Sequence, residues 1–291
     1  MPAAEPVFLF GGIIMGKEEL QKAVREAVQR VREKNPMAPS ITNTVTINLV
    51  ANAQLAVGGS AAMVYMPDEG EAMAQLGGAM YINMGTQMPI YAETLIRTAR
   101  ALREEGKTWV VDPVGIGVGG LRMSVLKSFK EFKPGVVRGN ASEIIALANL
   151  WGLESGVKND GVRGVDATDS VDEAGAAAVS VARFTGGAVA VSGVRDLVTD
   201  GKVVVRCDGG SKFLPMITGA GCSLGGVVAV YACCASPFIA ALTGTLVYNL
   251  AGERAEKKSE GPGSFQVHFL DELYKASAEE ISVQSFSIEE E

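Results

Sequence analysis

From residue 78 to residue 193 the chain repeats one pattern: a short apolar run, a polar or glycine-rich turn, then a longer stretch with helical spacing. "AMYINMG", "TWVVDPVG", "GVVRGN" and "GAVAVSG" are the apolar runs. "IYAETLIRTARALREEGK", "SVLKSFKEF", "ASEIIALANLWGL" and "VDEAGAAAVSVARFTG" are the helical stretches. Nearly continuous apolar runs fit strands buried on both faces, and strand–helix alternation sets such strands parallel. The pattern predicts an α/β fold of three layers, α/β/α, around a mostly parallel central sheet.

The flanks read less uniformly. "KEELQKAVREAVQRVREKNP" places Leu20, Val24, Val28 and Val31 on one stripe, with Pro36 just past the end, and predicts a helix. "ITNTVTINLVANAQLAVGG" reads as a second helix with Asn43 or Thr44 as its cap. "AAMVYM" reads as a short buried strand ending in "PDEG", and "DLVTDGKVVVRC" as a hairpin turning at Asp200 and Gly201. Helices over about 238–255 and 265–276 follow. No stretch has the composition of a linker, and the loop at 156–164 is too short to separate domains. Residues 1–291 are therefore expected to form one domain, with an acidic tail from about 278 to 291 whose "SFSIEEE" is frayed and solvated.

A net charge of −7 and only 6% aromatic residues argue against a nucleic-acid surface. The four cysteines, Cys207, Cys222, Cys233 and Cys234, lack metal or disulfide spacing, and the single histidine, His268, excludes a histidine-based metal site. Cys233 and Cys234 read as part of a helix. A reducing, cytoplasmic setting is the expectation. No apolar run reaches membrane-spanning length, and Glu5 stands where a signal peptide carries positive charge.

In open parallel sheets, ligands collect beyond the carboxyl ends of the strands. That rule selects Asn83 and Gly85, Asp112, then Arg138, Gly139 and Asn140, then Ser192 and Gly193. "ITGAGCSLGGVVAVYACC" adds Gly219, Ala220 and Gly221 at the start of an apolar helix, with Cys222 at its opening. Unpaired N–H groups and a partial positive charge there hold anions and ease proton loss from a thiol. A plainer reading stays open, in which the glycines only allow close packing and Cys222 is a small hydrophobe.

The other residues are equally two-sided. Asp112 and Glu143 suit a hydrated Mg²⁺ on substrate phosphates. They suit equally an Asx turn and a capping box started by Asn140. Arg138 suits phosphate oxygens or a surface ion pair. Together the residues supply what phosphoryl transfer needs: a cradle at Gly219–Gly221, carboxylates for a metal, and Cys222 as base. GxxxxGK[ST] is absent, as is the protein-kinase motif set.

With those residues assembled, the chain resembles the hydroxyethylthiazole kinases, thiamine-biosynthesis enzymes of the ribokinase-like superfamily, from about Pro39 to Tyr274. "ITN", "NLVANAQLAVGGSAAM", "INMGT", "DPVGIG", "RGNASEI", "GVDATDS", "TGAGC", "AGERA" and "SEGPGSFQVHFLDELY" carry the resemblance. "RGNASEI" with "GPGSF" is the specific pair, while "DPVG" and "TGAGC" mark the wider superfamily.

The resemblance implies ATP-dependent phosphorylation of the primary hydroxyl of hydroxyethylthiazole, with Mg²⁺, in a homotrimer whose subunits share active sites. It places Met63, Gly219 and Asn43 at the substrate, Arg138 and Ser192 at ATP, and Cys222, matching the family's cysteine, in the base position that most relatives in the wider superfamily fill with aspartate. Pro39 and Ser40 stand where many members have His-Cys, and Met216 where a lysine or arginine is common. Ala220 replaces a threonine. Met63 also reads as core filler, Ser192 as a turn residue, Ser264 as a helix cap and His268 as a packing residue. Competing readings are another ribokinase-like kinase, an NAD(P)HX dehydratase, or a thiazole- or nucleotide-binding protein without catalysis.

Overall fold

A computed structural model of the chain describes residues 9–10, 13–14, 16–156 and 171–289. In chain order the elements begin with β1 (Leu9–Phe10), β2 (Ile13–Ile14), α1 (Lys17–Lys34), β3 (Met37–Ile41), α2 (Ile47–Ala56), β4 (Ser60–Met63) and α3 (Pro67–Leu76). The alternating centre follows as β5 (Met80–Asn83), α4 (Tyr91–Glu104), β6 (Trp109–Asp112), α5 (Gly120–Phe132), β7 (Val136–Asn140) and α6 (Ala141–Trp151). Then come α7 (Gly175–Thr185), β8 (Ala188–Ser192), β9 (Asp196–Thr199), β10 (Val204–Cys207) and α8 (Ala220–Ala232). The chain closes with α9 (Pro237–Glu256), α10 (Pro262–Lys275), α11 (Ala278–Ser282) and β11 (Phe286–Ile288).

One sheet runs in the order β4-β3-β5-β6-β7-β8-β9-β10-β11. The six strands from β4 to β8 are parallel, and β9, β10 and β11 are added antiparallel at one side. Strand side chains alternate between two cores, as a period of two requires. Tyr81, Val110 and Val136 face the core made with α1, α2, α8, α9 and α10. Met80, Ile82, Trp109, Val111 and Val137 face the core made with α4, α5, α6 and α7. The expected three layers are present.

Within the first core, α8 is buried around most of its circumference, consistent with its uniformly apolar sequence. The expected stripe of α1 is buried as well, with Ala27 added. It lies against α9 and α11, and Arg32 donates to the carbonyls of Tyr274 and Ala276.

Four expectations change. The run beginning at Ile41 does not start a helix: Ile41 is the fully buried end of β3, paired with Ile82, and α2 begins six residues later behind Thr46. "PDEG" opens α3, with Pro67 at the first helical position and the Glu69 carboxylate accepting from the N–H groups of Tyr65 and Met66. Cys233 caps α8 at its C-terminus and Cys234 lies beyond it, so neither is inside the helix. The tail is not frayed at "FSI": β11 pairs with β10 and buries Phe286, because its apolar residues complete the sheet edge. "GVDATDS", at 164–170, lies outside the described residues.

Candidate active site

Parallel register brings the four strand ends into one row. Asn83 is level with Asp112, and Asn140 with Ser192. These residues and Arg138 therefore share the edge that the carboxyl-end rule selected.

The start of α8 lies over this edge. Gly219 has φ +91°, the left-handed region in which a β-carbon is strained. Its carbonyl accepts from the Ser223 N–H at 2.8 Å, closing the first turn. Among the described residues, the N–H groups of Gly221 and Cys222 have no backbone acceptor. Below them lies Arg138, placed so that a β-carbon on residue 221 would stand 2.9 Å from Nη1.

Arg138 is buried and its fork is divided: Nη1 donates to Asp112 Oδ2 at 3.1 Å and Nη2 to Ser192 Oγ at 2.8 Å. The alternative of a surface ion pair is thus replaced by a buried one. Burial works against the guanidinium charge, but Asp112 and Glu143 outweigh it and hold the proton more firmly than usual. Burial pushes the Asp112 carboxyl up, against the pull of Arg138 and the hydrogen bond from Tyr81.

A second set of hydrogen bonds runs from Cys222 back to Asp112. Asn43 Nδ2 donates to Cys222 Sγ at 3.3 Å and to Asn83 Oδ1 at 3.0 Å. Asn83 Nδ2 donates to the Tyr81 hydroxyl at 2.8 Å, which donates to Asp112 Oδ2 at 3.2 Å. Two buried oxygens in this network, Asn43 Oδ1 and Asp112 Oδ1, have no partner among the described residues.

Glu143 forms the expected capping box: its carboxylate accepts from the Asn140 N–H, and Asn140 Oδ1 accepts from the Glu143 N–H, each at 2.9 Å. It is also a strained acid. Burial, and then the Asp112 charge, lift its pKa to about 7. Of the two readings of Cys222, the buried one has the support: burial first and Asp112 second push the thiol up to about 11, against the easing expected of a helix start.

The structure therefore brings Asn43, Asp112, Arg138, Glu143, Ser192 and Cys222 together with Gly219, Ala220 and Gly221. Met63 lies half-buried at the end of β4, level with Ser40, outside the hydrogen-bonded set. Neither Asn43 nor Thr44 caps α2; Asn43 joins the site instead. Tyr81 escapes a reading of strand ends alone, although its place two residues before Asn83 puts both on one face of β5. Ser264 is the third residue of α10, and its hydroxyl accepts from the Glu260 and Gly261 N–H groups at 3.1 and 3.3 Å.

A cavity of about 390 Å³ opens beside the cradle, lined in part by Leu49, Met216, Thr218, Pro262 and Gln266. Leu49 also touches the Gly219 position. Cys222, Asp112 and Arg138 do not line it.

A mostly parallel sheet with an open glycine-bounded helix start over its carboxyl edge is the arrangement of the ribokinase-like fold. A ribokinase-like superfamily protein from Enterococcus faecalis shares the fold, with a TM-score of 0.61 at 12% identity over 91% of this chain and 96% of that one. The model of the hydroxyethylthiazole kinase family matches residues 28–279, and the chain belongs to that family. A hydroxyethylthiazole kinase from Bifidobacterium adolescentis is 51% identical over 273 residues, covering 90% of this chain and 93% of the relative. The structure of a hydroxyethylthiazole kinase from Pyrococcus horikoshii matches with a TM-score of 0.83 and 30% identity, over 92% of this chain and all of that one. The protein is thus an enzyme, a kinase. No helix among the described residues is long and apolar enough to cross a membrane.

Proposed function

We propose that this kinase transfers the γ-phosphoryl group of ATP to the primary hydroxyl of hydroxyethylthiazole, at the sheet edge beneath α8, as a step of thiamine biosynthesis or salvage. The observation that carries the reading is the open first turn of α8 above Arg138, Asp112 and Glu143, in a chain of this family.

The hydroxyl oxygen attacks the γ-phosphorus, the bond to the bridging oxygen breaks, and ADP leaves with the bonding electrons. The transition state spreads negative charge over the transferring oxygens, so fixed positive groups do most of the catalysis. The N–H groups of Gly221 and Cys222 face that charge with the partial positive end of α8. Ser192 and Asp112 hold the Arg138 guanidinium rigid, so little reorganisation accompanies the transfer. Cys222 Sγ, oriented by Asn43, takes the hydroxyl proton in its minor thiolate form, or relays it by passing its own proton to a phosphoryl oxygen. With its thiol near 11, most of the acceleration comes from positioning and charge.

Mg²⁺ fits the residues present: Asp112 Oδ1 is a buried carboxylate oxygen without a partner, and Glu143 is close enough for its charge to be felt there. Two carboxylates suffice for an ion that keeps waters and binds phosphate. Bound with the nucleotide, it would supply charge neutralisation to the phosphates. Asp112 and Glu143 would hold it.

The substrate lies between Met63, Asn43 and Gly219 in this reading, and the nucleotide contacts Arg138 and Ser192. The active unit is a homotrimer of single-domain chains in the cytoplasm, in which a neighbouring subunit closes the substrate side. A coupled ADP-release assay with ATP, Mg²⁺ and hydroxyethylthiazole tests the central claim. Thiazole-dependent turnover is expected; turnover only with a pyrimidine alcohol, or thiazole binding without ADP release, sinks it. Sedimentation velocity reads the trimer separately.

A further inference from the structure

The phenol of Tyr81 is fully buried among the apolar residues between β5 and α8, yet its hydroxyl is hydrogen-bonded on both sides. It accepts from Asn83 and donates to Asp112 Oδ2. The ring has a place made for it. A β-carbon on Gly225, three residues after Cys222 on α8, would stand 2.3 Å from Tyr81 Cε2 and 2.8 Å from the hydroxyl. Only a glycine at 225 lets the phenol reach between α8 and the end of β6.

The consequence for Asp112 is asymmetric. Oδ2 receives two donors from different strands, Tyr81 on β5 and Arg138 on β7, while Oδ1 receives none. Two donors on one oxygen fix the carboxylate's rotation, which one donor alone leaves free to turn. The free oxygen is the one left to a cation or a phosphate-bound water.

We propose that Tyr81 is a positioning residue: seated against Gly225, it locks the Asp112 carboxylate so that Oδ1 presents to the metal–nucleotide complex. This rests on the proposed role of Asp112 toward the metal. A tyrosine that merely filled space would act through its ring alone, and phenylalanine would replace it without loss.

The test compares wild type with Tyr81→Phe, using Mn²⁺ as a paramagnetic probe in the presence of ATP and reading bound metal by electron paramagnetic resonance. Loss of one hydrogen bond to a charged group is expected to weaken Mn²⁺ binding to the enzyme–ATP complex on the order of tenfold. In steady state, kcat is expected to fall and the Mg²⁺ activation constant to rise by a similar factor, with KM for the thiazole unchanged. Mn²⁺ affinity and kcat both within twofold of wild type would overturn the proposal.

The binding arm needs no acceptor, so it reads Tyr81 even where the acceptor assignment fails in the turnover assay. Where Tyr81→Phe does not fold, Gly225→Ala is the second variant. It keeps the phenol but displaces it, and is expected to weaken Mn²⁺ binding likewise; undiminished affinity in a folded Gly225→Ala protein also overturns the proposal.

Discussion

Gly219 and Thr46 meet so closely that a β-carbon on Gly219 would lie 2.8 Å from the Thr46 methyl carbon. The contact joins the cradle to the first turn of α2, and the positive φ of Gly219 excludes a side chain for a second reason. Gly219→Ala is expected to cost about 1–3 kcal/mol of stability through backbone strain alone. Turnover should fall as well, because the displaced turn carries the N–H groups. Urea unfolding and initial rates check this; a variant matching wild type in both would remove the cradle from the argument.

The buried pair of Arg138 and Asp112 predicts a sharply non-additive result. Arg138→Met leaves the Asp112 carboxylate buried with its cation gone, a loss on the order of 3–5 kcal/mol. Adding Asp112→Asn removes the stranded charge, so the double variant should be more stable than Arg138→Met alone. Denaturant midpoints decide the matter, and a double variant less stable than either single one contradicts the pairing.

Glu143 gives the apoprotein a pH signature. Its folded pKa of about 7 lies above the ordinary 4.5. Between those values the folded protein keeps a proton that the unfolded chain has released, so stability falls as pH rises. The stabilisation is complete below the unfolded value and lost through the folded one. It amounts to roughly 3 kcal/mol from the size of the shift. Tm in metal-free buffer should fall from about pH 5 to about pH 8, more steeply in wild type than in Glu143→Gln. Parallel profiles would mean that Glu143 does not carry the slope.

Cys222 should be slow to react. With its pKa pushed to about 11, on the order of one thiol in ten thousand is ionised at pH 7. Alkylation by iodoacetamide, followed at this site by mass spectrometry, is expected to accelerate about tenfold per pH unit above neutrality. A plateau below pH 9 would show that the helix start prevails over burial after all.

The last strand makes a prediction of its own. Removing residues 284–291 uncovers β10 and deletes Phe286, a burial worth roughly 2 kcal/mol. It also removes the Glu289 carboxylate that Arg206 contacts at 2.6 Å. The shortened protein should melt lower and associate through its open edge. Light scattering on heating measures both.

The central layers were legible because Met80 to Ser192 follows the strand–helix rhythm that backbone geometry demands. Three elements were hidden by local chemistry. Pro39 disguises β3, the proline and acids of "PDEG" resemble a turn, and β11 is masked by the acidic residues after it. At the site, strand ends were readable one at a time. The line from Asn43 through Asn83 and Tyr81 was not, because it depends on β3 lying beside β5, a crossover that no local pattern records. Burial of Cys222 was one of two open readings, and the choice depends on what surrounds the start of α8.

The seating of α1 against α9 and α11 bears on how the chain is born. Helix α1 leaves the ribosome with Leu20, Val24, Val28 and Val31 exposed, and the surface that covers them is made only when α9 and α11 follow, far along the chain. At ordinary translation speed that interval is roughly 10–50 seconds. Until then a nascent chain carries an apolar stripe that chaperones can grip, and α1 finds its place once α9 and α11 have been made.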